Sequence, residues 1–333
     1  MATLNDIADR LHISKGTVSK GLNGAADISE SLRQQILDTA VELGYKKRGK
    51  SAKNQNLCVF IENMDYYMKD DFGYDILLGF RQAAFKEGWS VEVIPITHAF
   101  QKNRSYDAFM LGQNFSGALI CGFTTDEPWL PEIKHTNVPT ILLDNYLAEN
   151  PMVGSVGSDS EEGIELAVRH LVSLGHEKIA FLNGTKESMI AQFRQHAYEL
   201  SMRAHHLSLD PKLSAFDNFV VEISPAHVRR FLELGATAIL CGSDLIAYGV
   251  INECKKAGFS VPEDISVIGY DDLPSSETFL IPLTTIRQDR IMLGKSSYYI
   301  LYAMINNVPL SRNLLHPALV CRKTTAIARP RMP

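Results

Sequence analysis

Apolar residues along this chain follow two rhythms, and the change between them divides it. Near the start they recur at helical spacing: Leu4, Ile7, Ala8 and Leu11, and later Leu32, Ile36, Ala40 and Leu43. A repeat of three to four residues gathers such side chains on one face of a helix. Thr3 and Asp6 are placed to cap the first turn, and a break at His12-Ile13 leads to Ser14, a good N-cap. The run Lys15 to Gly24 follows, then the turn Ala25-Ala26-Asp27-Ile28, and a third helix starting at Ser29. Two short helices with a tight turn, braced by a third, suit a helix that must lie in a major groove. Residues 1–45 therefore read as a helix-turn-helix head that binds DNA.

Beyond residue 56 the apolar residues form short blocks instead. Strands are predicted over Leu57–Ile61, Ser90–Ile96, Gly117–Cys121, Pro139–Leu143, Lys178–Leu182, Ala236–Cys241 and Ile265–Gly269. Between them lie amphipathic stretches of helical length: Tyr74–Glu87, Glu161–Leu174, Phe193–His205, Pro225–Leu234 and Leu245–Ala257. Gly88, Gly175, Gly235 and Gly258 stand where a left-handed residue would close a helix. Alternating strands and helices imply parallel sheets covered on both faces. Residues 57–333 are too many for one such sheet, so two doubly wound α/β lobes are expected. Ligands of such sheets bind outside the carboxyl ends of the strands, which in two facing lobes would line a cleft.

Charge sharpens the division. The 333 residues carry 33 Lys and Arg against 38 Asp and Glu, a net −5. Residues 1–55 alone hold nine basic against six acidic residues, net +3, leaving 24 against 32, net −8, for the remainder. A basic head on an acidic body concentrates phosphate attraction at one end. Lys46, Lys47, Arg48, Lys50 and Lys53 crowd residues 46–56, read as a basic hinge or solvated linker. No apolar run has the length of a membrane span, and the N-terminus lacks a signal-peptide pattern. The five cysteines show no paired metal spacing, and four lie in strand-like stretches. The expectation is a reduced, cytoplasmic protein with no membrane contact, metal or cofactor. The ten histidines are scattered, and no nucleophile–base, metal or phosphate-loop constellation stands out, so no enzyme is expected.

The head also resembles a known family. The stretch Thr3–Tyr45 is similar to the head of the lactose/galactose repressor family, above all in Asp6-Ile7-Ala8, Ile13 to Lys20, Leu22-Asn23-Gly24 and Glu42-Leu43-Gly44-Tyr45. The body continues it more loosely in Gly175 to Phe181, Ala238 to Asp244, Val261 to Asp272 and Pro282 to Gln288. The resemblance implies a periplasmic-binding-protein-like core whose chain crosses between lobes three times, and a homodimer built from the body. No apolar heptads follow the last strand to form a tetramer helix. It also implies a transcriptional regulator, a repressor more often than not. Its partners would be a double-stranded DNA operator and a small polar effector, most simply a sugar. The alternative is a transcription factor whose body meets a protein co-regulator.

Residue by residue, the resemblance puts Lys15, Gly16 and Lys20 at the base-reading positions. Thr3, Ser14, Thr17, Ser19, Asn23 and Tyr45, followed by Lys46, Lys47 and Arg48, complete the DNA-binding set. Gly16 either gives up a base contact or allows close backbone approach. The hinge departs from the family pattern: it lacks the leucine that wedges into the minor groove and is several residues shorter. In the body Arg194, taken to begin a helix at Phe193, matches the arginine that clamps ligand hydroxyls or carboxylates. Asp271, after Tyr270, offers a facing carboxylate or else a turn. Phe72, Asp144, Ser188, Ser243 and Arg290 match further effector-pocket positions, with Phe72 either stacking on a sugar or sitting in ordinary core. Met64 to Asp71 replaces a shorter loop and is either a ligand lid or a surface loop.

Overall fold

The computed structural model describes residues 2–45 and 55–329. The basic run Lys46, Lys47, Arg48, Lys50 and Lys53, and with it the expectations for the hinge, lies outside the described residues.

The head is three helices: α1 (Leu4–Leu11), α2 (Lys15–Leu22) and α3 (Glu30–Glu42). Local chemistry sets each boundary. Thr3 and Asp6 form a reciprocal capping box, Thr3 N–H donating to Asp6 Oδ2 at 2.7 Å and Asp6 N–H to Thr3 Oγ1 at 3.4 Å. His12, at φ 55°, ends α1 in a left-handed turn. Ser14 Oγ accepts Thr17 N–H at 3.0 Å to open α2, and Ser29 Oγ accepts Leu32 N–H at 3.3 Å to open α3. Ile7, Val18, Leu22, Ile36 and Ala40 are buried between the helices. Gly21 sits where α2 meets α3, and a Cβ there would stand 2.5 Å from Ile36 Cδ1.

The body begins with β1 (Asn56–Ile61), α4 (Phe72–Lys86), β2 (Ser90–Pro95), α5 (His98–Lys102), α6 (Tyr106–Gln113), β3 (Gly117–Cys121), α7 (Leu130–Ile133), β4 (Thr140–Leu143) and β5 (Val153–Ser158). The head is not isolated from it. Ala108 on α6 belongs to the head's own apolar cluster, and Arg33 Nη2 on α3 donates to Gly112 O at 3.4 Å.

The chain continues through α8 (Ser160–Ser173), β6 (Ile179–Asn183), α9 (Met189–Ala204), β7 (Ser214–Phe216), α10 (Pro225–Glu233), β8 (Ala238–Cys241), α11 (Asp244–Lys256), β9 (Ser266–Asp271), α12 (Ser275–Thr278) and β10 (Thr285–Arg287). It closes with α13 (Arg290–Ile305), β11 (Arg312–Leu315) and β12 (Ala318–Val320). Two six-stranded sheets result, in the orders β11-β5-β4-β3-β1-β2 and β12-β10-β9-β8-β6-β7. The chain passes between the sheets after β5, after β10 and after β11, the three crossings expected. β1 pairs in parallel with β2 and β3, and β8 pairs in parallel with β6 and β9. Every residue of β3, β6, β8 and β9 is buried, as strands covered on both faces must be. The fold is the α/β class expected, a three-helix head and two doubly wound sheets, and the chain forms two compact units.

Two departures have physical causes. Helix α9 starts at Met189, a turn before Phe193, so Arg194 lies in its second turn rather than at its start. Helix α13, which no predicted segment covers, spreads its apolar residues around its axis and has no amphipathic rhythm to betray it.

Candidate functional site

In the head, α2 presents its first turn to solvent. Lys15 and Gly16 are exposed, and a Cβ added at Gly16 would meet nothing nearer than Ser14 Oγ at 3.5 Å. The four leading N–H groups of a helix carry a partial positive charge that favours a phosphate, and Lys15 adds to it. Several of the other expected DNA-binding residues have structural tasks as well. Ser14 and Thr17 hydroxyls lie 2.9 Å apart, and Asn23 Nδ2 donates to Ser19 O at 2.8 Å where α2 ends. Lys20 Nζ is 2.5 Å from Asp27 Oδ2, an exposed pair held across the turn. The Tyr45 ring packs against the head's apolar cluster, and partial burial pushes its hydroxyl up.

Four effector candidates of the second unit, Ser188, Arg194, Ser243 and Asp271, stand with Tyr270 at the carboxyl ends of its sheet. Arg194 is 3% exposed. Its Nη1 donates to Gly242 O, after β8, at 2.6 Å, and its Cζ lies 3.8 Å from the centre of the Tyr270 ring on β9. Its Nε has no hydrogen-bond partner, and no acidic side chain among the described residues pairs with it. Tyr270 is wholly buried and serves as the platform under that guanidinium. Ser243 Oγ accepts Ile246 N–H at 3.2 Å to cap α11, whereas Ser188, at the N-cap of α9, makes no side-chain cap bond.

Asp271 ends β9 at φ 124°, followed by Asp272 at φ 55°. Backbone in this region is strained for a residue with a Cβ, and such strain gathers at functional turns. Gln288 Nε2 donates to Asp271 Oδ1 at 2.7 Å. Asp272 lies between Arg287 Nε at 2.6 Å and Arg322 Nη2 at 2.7 Å, an ion-paired turn. Beneath them Asp244, on the first turn of α11, is completely buried. It accepts Leu273 N–H at 2.8 Å, Ser276 Oγ at 2.5 Å and Thr285 Oγ1 at 2.5 Å. Burial, and then the nearby Asp271 charge, push its carboxyl up to about 8.

The remaining candidates are placed differently. Arg290 is buried, pairs with Asp75 at 2.8 Å and donates to Asp71 O at 3.2 Å, so it anchors the start of α4. Phe72 is half-buried as the first residue of α4. The loop before it is ordered by Asp71, whose Oδ2 accepts Tyr67 and Met68 N–H groups at 2.7 Å, and by Asp70, which accepts Ser275 N–H at 2.7 Å. Asp144 follows β4 in the first unit, at φ 56° and half-buried.

Residues 3–47 match the family model described as bacterial regulatory proteins, lacI family, and residues 168–325 match the periplasmic binding protein-like domain. The chain belongs to the lacI family of bacterial regulators. It is 27% identical to the HTH-type transcriptional repressor PurR of Aliivibrio salmonicida (strain LFI1238), over 97% of this chain and 99% of that protein. It is 26% identical to the repressor CytR of Escherichia coli (strain K12), over 97% and 96% respectively. In structure it is similar to the lac repressor dimer bound to operator and the anti-inducer ONPF, with TM-score 0.68, 27% identity and coverage of 98% of this chain and 99% of that one. A transcriptional regulator CelR–cellobiose complex shares the fold, with TM-score 0.74 at 22% identity over 97% and 100% of the chains.

As a lacI-family member the protein is a DNA-binding transcriptional regulator and not an enzyme. Among its described residues no helix is long and apolar enough to cross a membrane. Sequence reasoning did not single out Asp244, Gln288 or the Arg287–Asp272–Arg322 group. The signal available for Asp244 was its place behind Gly242-Ser243 at a helix start, where an acid is favoured by the helix dipole.

Proposed function

We propose that this lacI-family regulator represses transcription as a homodimer on a pseudo-palindromic operator, and that a small polar effector at the carboxyl ends of the second sheet controls its affinity. The reading keeps a head of residues 1–45, a basic hinge of 46–56 and an effector-binding, dimer-forming body of 57–333, acting in the cytoplasm. The observation that carries it is Arg194. A buried guanidinium without a counter-charge is costly, and a ligand carboxylate or vicinal hydroxyls would supply the acceptors it lacks. Tyr270 and Gly242 hold it in place, while Ser188, Ser243 and Asp271 stand at the same strand ends to bind the rest of a polyhydroxylated molecule, a sugar being the simplest. The lac repressor, dimeric on its operator with a small anti-inducer bound, supports coupling of this kind.

The test pairs calorimetry against a panel of sugars and nucleosides with operator binding by the full chain. Arg194→Ala is expected to weaken the ligand about a hundredfold, since a lost charge-assisted bond costs a few kcal/mol. Operator affinity without ligand should stay within about threefold. A variant that binds and responds like wild type removes Arg194 from the pocket, and silence of the whole panel favours a protein co-regulator.

A further inference from the structure

At the carboxyl ends of the first sheet three side chains converge that the effector reading does not use. Glu62 directly follows β1, His98 opens α5 after β2, and Glu127 lies in the loop after β3. One ligating atom from each lies within 4.8 Å of the other two. His98 Nε2 is 3.0 Å from Glu127 Oε2, the Glu127 side chain is 0% exposed, and that of His98 is 41% exposed. The group thus has a buried floor and an open side.

Its neighbours hold the carboxylates in place. Gln101, itself buried, donates from Nε2 to Glu62 Oε2 and, at 2.6 Å, to Glu127 Oε2. Its Oε1 accepts Trp129 N–H at 3.0 Å, which fixes the orientation of the amide. Thr124 Oγ1 at 3.0 Å and Asn63 Nδ2 at 3.3 Å donate to Glu127 Oε1. Among the described residues neither Glu62 nor Glu127 is paired with Lys or Arg.

We propose that Glu62, His98 and Glu127 bind a divalent transition-metal ion of the zinc type. One imidazole nitrogen and two carboxylate oxygens form the mixed N/O set that zinc accepts, with a fourth position left for water. Ligands bonded at about 2.1 Å in a tetrahedron stand about 3.4 Å apart, so a closure of little more than an ångström brings the three onto one ion. Gln101, Thr124 and Asn63 are the outer hydrogen-bonding neighbours that orient metal-ligating carboxylates. Affinity should rise with pH, because an imidazole and carboxylates bind a metal ion only in their deprotonated forms. Binding would tie the ends of β1, β2 and β3 together in the first unit.

The full chain, stripped by chelator dialysis, is titrated with zinc chloride in a calorimeter at pH 6 and pH 8. One equivalent should bind with micromolar affinity or better at pH 8, more weakly at pH 6, and raise the melting temperature. His98→Ala, a half-exposed position whose loss should not unfold the chain, should lose that equivalent. Gln101→Ala should weaken it about tenfold or more. No binding at pH 8, the same stoichiometry in His98→Ala, or a melting temperature that ignores zinc would overturn the proposal. None of these outcomes bears on Arg194, so this site and the effector reading fail separately.

Discussion

On α2 the candidate residues stand on the outside of a small helix, with Lys15 and Gly16 in water and Lys20 held by one exposed ion pair to Asp27. At the strand ends of the second sheet Arg194, Ser243 and Asp271 are 3%, 4% and 6% exposed, and each is bound to another part of the same unit. The head keeps recognition and folding on opposite faces: Val18, Gly21 and Leu22 are buried in the core while the first turn faces outward. In the strand-end cluster the two tasks share atoms. Gly242 O receives Arg194, and Asp244, two residues on, fastens both the 273–276 turn and β10. Substitutions on the head should therefore separate binding from stability, whereas those around Asp244 should move both.

The largest effect is expected at Asp244. Asp244→Ala leaves the Leu273 N–H and the Ser276 and Thr285 hydroxyls without their acceptor inside a dry core, at a cost of about 3 kcal/mol or more. Urea unfolding of the full chain measures it. The pH dependence sharpens the test. The carboxyl is held up at about 8 in the folded chain, chiefly by burial and then by Asp271. In the unfolded chain it titrates near its ordinary value of about 4. Between those values the folded state keeps a proton the unfolded state has released, so stability is fully present below about pH 4 and is lost as pH rises towards about 8. Asp244→Asn should flatten that slope. A slope unchanged in Asp244→Asn would mean the carboxyl is ionised in place and the cluster is held by its charge.

Next comes Gly21→Ala. The new Cβ would stand 2.5 Å from Ile36 Cδ1, and only 3.4 and 3.5 Å from Ile36 Cγ2 and Cβ, so α2 and α3 must separate or Ile36 must repack. Overpacking costs about 1–3 kcal/mol, offset by up to about 1 kcal/mol of helix propensity. A net loss of about 1 kcal/mol is expected in the melting of the head, with operator binding weakened in proportion. A variant as stable as wild type would show that the helix crossing is slack.

How much of this was legible in the sequence follows from the range of the interactions. Thr3, Asp6, Ser14 and Ser29 cap helices through partners three residues away, so the head could be read residue by residue. The Arg194 position was reached through resemblance alone, and the helix carrying it begins at Met189, after a Ser188 that makes no cap bond to mark the start. Asp244 finds its partners 29, 32 and 41 residues further on. Glu62, His98 and Glu127 come from three different strand ends. Nothing local distinguishes these acids from surface ones, since only the parallel order of the strands brings them together. The docking of α3 on α6 through Arg33 and Gly112 was hidden for the same reason, the partners standing 79 residues apart in sequence.

The smallest effect on folding, and the sharpest test of the contrast, is Gly16→Ala. An exposed glycine inside a helix costs about 1 kcal/mol relative to alanine. Nothing in the protein requires it, because an added Cβ meets only Ser14 Oγ at an ordinary 3.5 Å and the backbone is already helical. Its reason should then lie outside the chain, in a backbone that must come close to DNA where no side chain fits. The head should melt higher by up to about 1 kcal/mol of added stability, while operator affinity falls severalfold in a fluorescence anisotropy titration. Opposite signs in the two measurements would show recognition and stability held on separate faces of one eight-residue helix. Raised stability with unchanged affinity would mean that Gly16 merely gives up a base contact. A loss of stability would mean that the first turn of α2 packs against more than Ser14.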